Sequence, residues 1–231
     1  MIGNRFQFGG LIPGAGKLIE NGYIVAAIDY RLSYQSLFPA QLHDVKSAIY
    51  WLRGHATEYN IDPGRFGIWG PSAGGHLAAL VGTSAGRLEP PDAPKDTYLG
   101  SRVQAVVDFF GPTDFLAMER RSLTSFDHSG PDSAEARLLG GPISDRVDAV
   151  KEANPITYVS GDGPPFLIVH GIDDPIIPLN QSEILAGALR SAGVDVTLRP
   201  IEGGEHGTGG EFDSPALMEI VVNFLDRHLK R

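Results

Sequence analysis

The stretch Gly70-Pro71-Ser72-Ala73-Gly74 places a serine between two glycines, each two residues away. It follows the short apolar run Phe66–Trp69 and opens a small-residue apolar stretch from Ser72 to Gly82. That order reads as strand, sharp turn, helix. Such a turn leaves no room for side chains beside the serine, and it lifts the hydroxyl above the carboxyl end of the strand. The hydroxyl then sits by a helix N-terminus, where backbone N–H groups can stabilise an oxyanion. The N–H of Ala73, just after the serine, is the first candidate donor. The plain alternative is a glycine-rich turn with a serine N-cap. The strand before it and the helix after it argue for a nucleophile at Ser72.

A serine hydroxyl is a weak nucleophile. It needs a general base, and the base needs an acid to orient it. In a parallel sheet both belong at the carboxyl ends of later strands. One later apolar run ends in His170-Gly171-Ile172-Asp173-Asp174-Pro175, and the next ends in Glu202-Gly203-Gly204-Glu205-His206-Gly207. His206 lies in a glycine-rich loop able to reach Ser72, whereas His170 ends a strand, a place for packing and turn hydrogen bonds. His206 is therefore the expected base. Asp173 and Asp174 both remain candidates for the acid on spacing alone. His76, one helical turn past Ser72, reads as helix packing. His43, His55, His128 and His228 pair with no carboxylates at metal-ligand spacing, so neither a metal nor another cofactor is expected. Asp29 and Arg31 read as a structural polar contact. Trp69, Phe109, Phe110 and Phe115 could line a pocket but suit a core equally well.

The elements that must position these groups alternate in kind. Tyr23–Ile28 is a continuous apolar run and reads as a first strand buried on both faces. Pro39–Ala56 carries apolar residues at helical spacing through Leu42, Val45, Ile49 and Leu52. Strands are expected at Phe66–Trp69, Val103–Phe110, Pro165–His170 and Val194–Ile201. Helices are expected at Ser72–Gly82, Gln181–Ala192 and Ser214–Leu229. Strand–helix alternation implies an α/β fold, a mostly parallel sheet with helices on both faces. Thr83–Ser101 reads as a loop. Pro112–Gly163, between the third and fourth expected strands, far exceeds the usual connection of about 2–6 residues. It is expected to form a cap or lid over the site.

Composition narrows the functional classes. With 231 residues one domain over 1–231 is the default, long enough for a core without staples. There is no cysteine, so disulfide scaffolds, thiolate metal sites and a cysteine nucleophile are excluded. The 19 basic residues are outnumbered by 28 acidic ones, which argues against nucleic-acid and anionic-membrane partners. No run approaches the roughly 20 apolar residues of a membrane span. Residues 1–16 lack a signal-peptide pattern, which favours a cytoplasmic location.

The motifs together resemble the α/β-hydrolase carboxylesterases, near the hormone-sensitive-lipase-like and the feruloyl or acetylxylan esterases. The resemblance rests on Asp29-Tyr30-Arg31-Leu32, Phe38-Pro39-Ala40, Asp62-Pro63-Gly64-Arg65, Gly70 to Ala78, His170-Gly171 with Asp174 and Ile177-Pro178, and Gly204-Glu205-His206-Gly207. It covers most of the chain from about Gly22 onward. It implies the chain order nucleophile, acid, base, hence Ser72, Asp174 and His206. In that pattern the acid stands four residues before the proline, which selects Asp174 over Asp173. It implies hydrolysis of small-molecule esters with small or aromatic acyl groups. An amide-cleaving relative of the arylformamidase or peptidase kind, or a non-catalytic binding protein on the same fold, are the alternatives.

These esterases usually carry a His-Gly-Gly-Gly-like run that supplies a second oxyanion N–H. No such run precedes the Tyr23–Ile28 segment, and Gly9-Gly10 is a weak substitute. The resemblance therefore implies a chain shortened at its N-terminus, lacking a strand between the first two expected here. Open strand edges at that place would invite association with a second copy.

Overall fold

The computed structural model describes residues 14–95, 99–120 and 126–230. Four parallel strands form one sheet in the order β1-β2-β3-β4: β1 (Gly67–Pro71), β2 (Ala105–Phe109), β3 (Phe166–Gly171) and β4 (Val196–Ile201). Around them stand α1 (Ala15–Glu20), α2 (Ala40–Gly54), α3 (Ala73–Thr83), α4 (Phe115–Arg120), α5 (Ala134–Leu139), α6 (Val147–Ala153), α7 (Asn180–Ser191) and α8 (Pro215–Leu229).

The sheet is covered on both faces, and the period of two along each strand does the sorting. Val106, Phe166 and Ile168 point to one side, where Leu42, Val45 and Ile49 of α2, Leu77 and Leu80 of α3 and Leu185 and Leu189 of α7 meet them. Ala105, Val107, Phe109, Leu167 and Val169 point to the other, against Leu18 of α1 and Leu217, Val221 and Leu225 of α8. Each fully buried Leu, Ile or Phe of these layers is worth roughly 1.5–3 kcal/mol. Helix ends follow local chemistry. Ser214 Oγ accepts the Ala216 N–H at 3.2 Å and Pro215 begins α8. Thr83 still closes α3, Ser84–Ser101 is irregular where described, and a buried cation ties that stretch down. Lys46 Nζ donates to Ser84 O at 3.0 Å, Arg87 O at 2.5 Å and Glu89 Oε1 at 3.1 Å.

One expected strand differs from the structure. Tyr23–Ile28 forms no strand. A strand exists only through a hydrogen-bonded neighbour, and among the described residues no strand ladder includes this run. Its side chains still alternate: Tyr23 and Val25 pack with the α8 layer, Ile28 with the α2 layer, while Ile24 is 59% exposed. Among the described residues the sheet is thus one strand shorter than expected, and the long Pro112–Gly163 connection runs from β2 to β3. That connection holds α4, α5 and α6 together with short 3₁₀ turns. No helix among the described residues is long and apolar enough to cross a membrane.

Candidate active site

Ser72 stands between the last residue of β1 and the first of α3, with φ 53° and ψ −120°. Positive φ at a non-glycine residue is strained, by about 1–3 kcal/mol. Its surroundings hold it there. Ser72 N–H donates to Phe109 O at 2.8 Å, and Ser72 O accepts the His76 N–H at 3.0 Å. Gly70 must be glycine, because a Cβ would run into the backbone of Gly74.

The structure brings His206 and Asp174 to this serine. His206 Nε2 lies 2.9 Å from Ser72 Oγ, and His206 Nδ1 lies 2.7 Å from Asp174 Oδ2. A carboxylate can only accept, so Nδ1 carries the proton and Nε2 accepts from the serine hydroxyl. Gly171, at the end of β3, lets the His206 loop approach; a Cβ there would strike the carbonyl oxygens of Gly204 and Glu205. Asp174 Oδ1 accepts the N–H groups of Ile176 at 2.8 Å and Ile177 at 2.9 Å. The carboxylate side chain is fully buried, and burial alone would raise its pKa. Hydrogen bonds from His170, His206 and the Ile176 N–H outweigh that and hold it well below the usual carboxylate range. Asp173, by contrast, is exposed. The arrangement can move a proton from Ser72 to His206 and keep the imidazolium beside a charged partner. Ala73 is the first residue of α3, so its N–H has no acceptor within the helix and remains available beside Ser72. Gly9-Gly10 lies outside the described residues.

The other candidates fall elsewhere. His76 is fully buried, donates from Nδ1 to Pro112 O at 2.9 Å and stacks on Phe115; burial lowers its pKa to about 4. Arg31 pairs through its guanidinium with Asp44, at 2.7 Å in the shortest contact. Phe109, Phe110 and Phe115 are buried. Phe110 also flanks His206 at 4.5 Å between ring centroids, with Phe212 behind it at 5.6 Å. Its φ of 44° is a second strained position at the site. No sequence signal marks Phe212. Among the described residues no group of three His, Cys, Asp or Glu side chains could hold a metal ion.

His128, in the β2–β3 connection, has a placement the sequence did not disclose. Its Nε2 lies 2.8 Å from Ile176 O, in the turn that carries Asp174, and its Nδ1 lies 3.1 Å from Glu135 Oε1. Both partners accept, so the ring is best satisfied when doubly protonated. Burial lowers its pKa, but the Glu135 hydrogen bond and charge outweigh this and the net shift is upward. A raised pKa stabilises the fold fully below the unfolded value of about 6.5 and stops doing so as pH rises through the folded one. His128→Asn is expected to cost about 1.5–3 kcal/mol at pH 6 and clearly less at pH 9, measured by urea unfolding. An equal cost at both pH values would contradict this assignment.

A sequence model of the BD-FAE family matches residues 3–189, most of the chain. The chain belongs to the BD-FAE family. Among curated proteins this BD-FAE chain is 34% identical over 183 residues to the probable carboxylic ester hydrolase LipM of Mycobacterium tuberculosis, covering 77% of this chain and 40% of LipM. It thus spans about two fifths of that relative's length. Among solved structures it superposes on a truncated form of a carbohydrate esterase from gut microbiota with a TM-score of 0.82 at 33% identity, covering 94% of this chain and 78% of the other. An acetyl ester-xyloside bifunctional hydrolase from Caldicellulosiruptor lactoaceticus superposes with a TM-score of 0.69 at 28% identity, covering 86% and 69%. The BD-FAE chain therefore has an α/β-hydrolase fold of the carboxylesterase type.

Proposed function

We propose that this chain carries the catalytic module of a serine hydrolase that cleaves carboxylic esters, with Ser72 as nucleophile, His206 as general base and Asp174 as orienting acid. One observation carries the reading: the continuous hydrogen-bond chain from Ser72 Oγ through both His206 nitrogens to the buried Asp174 carboxylate. Ser72 Oγ attacks the ester carbonyl carbon while His206 Nε2 takes its proton. The Ala73 N–H donates to the oxyanion. As the tetrahedral intermediate collapses, the C–O bond to the alcohol breaks and His206 returns the proton to the leaving oxygen. Water, deprotonated by His206, then attacks the acyl-serine, and the acid and the free serine are released.

The substrate class we favour is a small acyl group on a carbohydrate. The relatives named for carbohydrate and acetyl esters support it, as does the Phe110 ring set against His206 and backed by Phe212. Pro112–Gly163 is assigned the role of a cap that sets acyl preference. Incubation with a fluorophosphonate probe, followed by peptide mapping, is expected to label Ser72. A panel of p-nitrophenyl esters from acetate to laurate, together with acetylated and feruloylated xylan, is expected to show a preference for acetyl. An unlabelled Ser72 sinks the reading, and a laurate or feruloyl preference removes its substrate half.

A further inference from the structure

The Asp174 carboxylate is touched by a second histidine. His170, in β3, is completely buried, and its Nε2 lies 3.4 Å from Asp174 Oδ2, the oxygen that receives the His206 N–H. The same nitrogen lies 2.8 Å from Ile177 O, while Nδ1 lies 2.7 Å from Ser182 Oγ on α7. A carbonyl oxygen only accepts, so Nε2 carries the hydrogen. Nδ1 shares a hydrogen bond with the Ser182 hydroxyl, so the ring is fixed from both sides. Its N–H points mainly at Ile177 O, with the positive end of the bond beside Asp174 Oδ2.

We propose that His170 is a positioning residue for the reaction, setting the direction and basicity of the Asp174 carboxylate that faces His206. The proposal rests on the role given above to the Ser72–His206–Asp174 chain. The geometry supports it in two ways. The residue 174–177 turn is closed from both ends, since Asp174 Oδ1 holds the N–H groups of Ile176 and Ile177 while His170 holds the carbonyl of Ile177. Oδ2 is left between two histidine N–H groups, so rotating the carboxylate away from His206 would break contacts at both oxygens. The low proton affinity of Asp174 agrees, because the hydrogen bond from His170 is among the interactions that overcome burial there. The titratable groups facing His170 are Asp174 from its own turn and Asp108 from β2, which burial pushes up to about 6. Phe110 presents a ring at 6.3 Å and Ser182 a neutral hydroxyl.

A turn histidine with no part in the reaction would lower stability when lost and leave the kinetics of the folded enzyme alone. A positioning histidine predicts a kinetic split. In His170→Leu, kcat for p-nitrophenyl acetate is expected to fall about tenfold with KM nearly unchanged, the loss of one hydrogen bond to a charged group. Without the N–H beside it, Oδ2 becomes more basic and holds the His206 imidazolium more tightly. The acid limb of kcat/KM should therefore move to higher pH, by about half a unit. His170→Gln can place an amide N–H near the position of Nε2 and should restore most of kcat and the original limb.

Both variants are first titrated with the fluorophosphonate probe. Failure of the wild-type protein to label at Ser72 would overturn the parent reading, not this one. Labelled His170→Leu with wild-type kcat and an unmoved acid limb overturns the proposal. So does a His170→Gln variant indistinguishable from folded His170→Leu. If His170→Leu does not fold, Ser182→Ala serves in its place. It frees the ring at Nδ1 and should lower kcat two- to fivefold with the same direction of limb shift; unchanged kinetics there counts against the proposal.

Discussion

Ser72→Ala is expected to lower kcat for p-nitrophenyl acetate by about 10⁴–10⁶ while leaving a folded protein. The loss is large because the substitution removes the atom that forms the acyl bond, and no other described hydroxyl replaces it at 2.9 Å from His206 Nε2. Whatever turnover remains would come from substrate binding, the Ala73 N–H and a water polarised by His206. The fold should persist because alanine keeps the Cβ and the strained φ of 53°. Only one hydrogen bond at a partly open site is lost, about 0.5–1.5 kcal/mol. Ser72→Gly is the informative companion. It relieves the left-handed strain and is expected to unfold at a higher denaturant concentration than the alanine variant, yet to be equally inactive. Circular dichroism with urea titration reads the stability, and initial rates read the activity. Residual turnover within tenfold of wild type would show that Ser72 is not the nucleophile.

What could be read from the residues alone was what depends on short stretches of chain. The serine turn is local: Gly70 is demanded by the nearby Gly74 backbone, and the strand and helix around it are adjacent in sequence. Helices α2, α7 and α8 were legible for the same reason, because a 3.6-residue apolar period leaves its mark on a dozen positions. Tyr23–Ile28 misled because hydrophobic run length reports burial, whereas a strand is defined by a neighbour that the run itself does not encode. The short α1 was missed, since its two buried side chains, Ala15 and Leu18, are too few to show a period. Within the site, the meeting of Ser72 with His206 could be argued from loop and strand-end positions. The choice between Asp173 and Asp174 could not, and it needed a family pattern. Three dimensions separate them plainly: one is exposed, the other accepts two backbone N–H groups and a histidine. His170 was legible as a residue of packing and turn hydrogen bonds, but its particular partners, like those of His128, were not, because Ser182, Ile177, Ile176 and Glu135 come together only when α5, α7 and the Asp174 turn pack.

Asp174→Asn is expected to lower kcat by about 10⁴ with little change in KM. The carboxylate accepts at both oxygens: Oδ1 from two backbone N–H groups, Oδ2 from His206 and the flanking His170. An asparagine keeps one oxygen, and the two N–H groups of Ile176 and Ile177 will hold it at the Oδ1 position. The amide nitrogen must then face His206. It donates where an acceptor is needed, so the imidazole is satisfied only by placing its lone pair at Nδ1 and its proton at Nε2. That tautomer donates toward Ser72 and has no lone pair there to take the serine proton. The defect is therefore one of proton placement, which is why KM is expected to change little. Because the wild-type carboxyl is held well below the usual range, it stays ionised across the acid limb of the rate profile and does not itself shape that limb. In the variant the negative charge that favoured the imidazolium is gone, so the residual rate should depend less on His206 and rise with hydroxide at high pH. Rate–pH profiles of wild type and Asp174→Asn over pH 5–10 test this. A variant with near-wild-type kcat at neutral pH would remove Asp174 from the reaction, and with it the chain that links Ser72, His206 and His170.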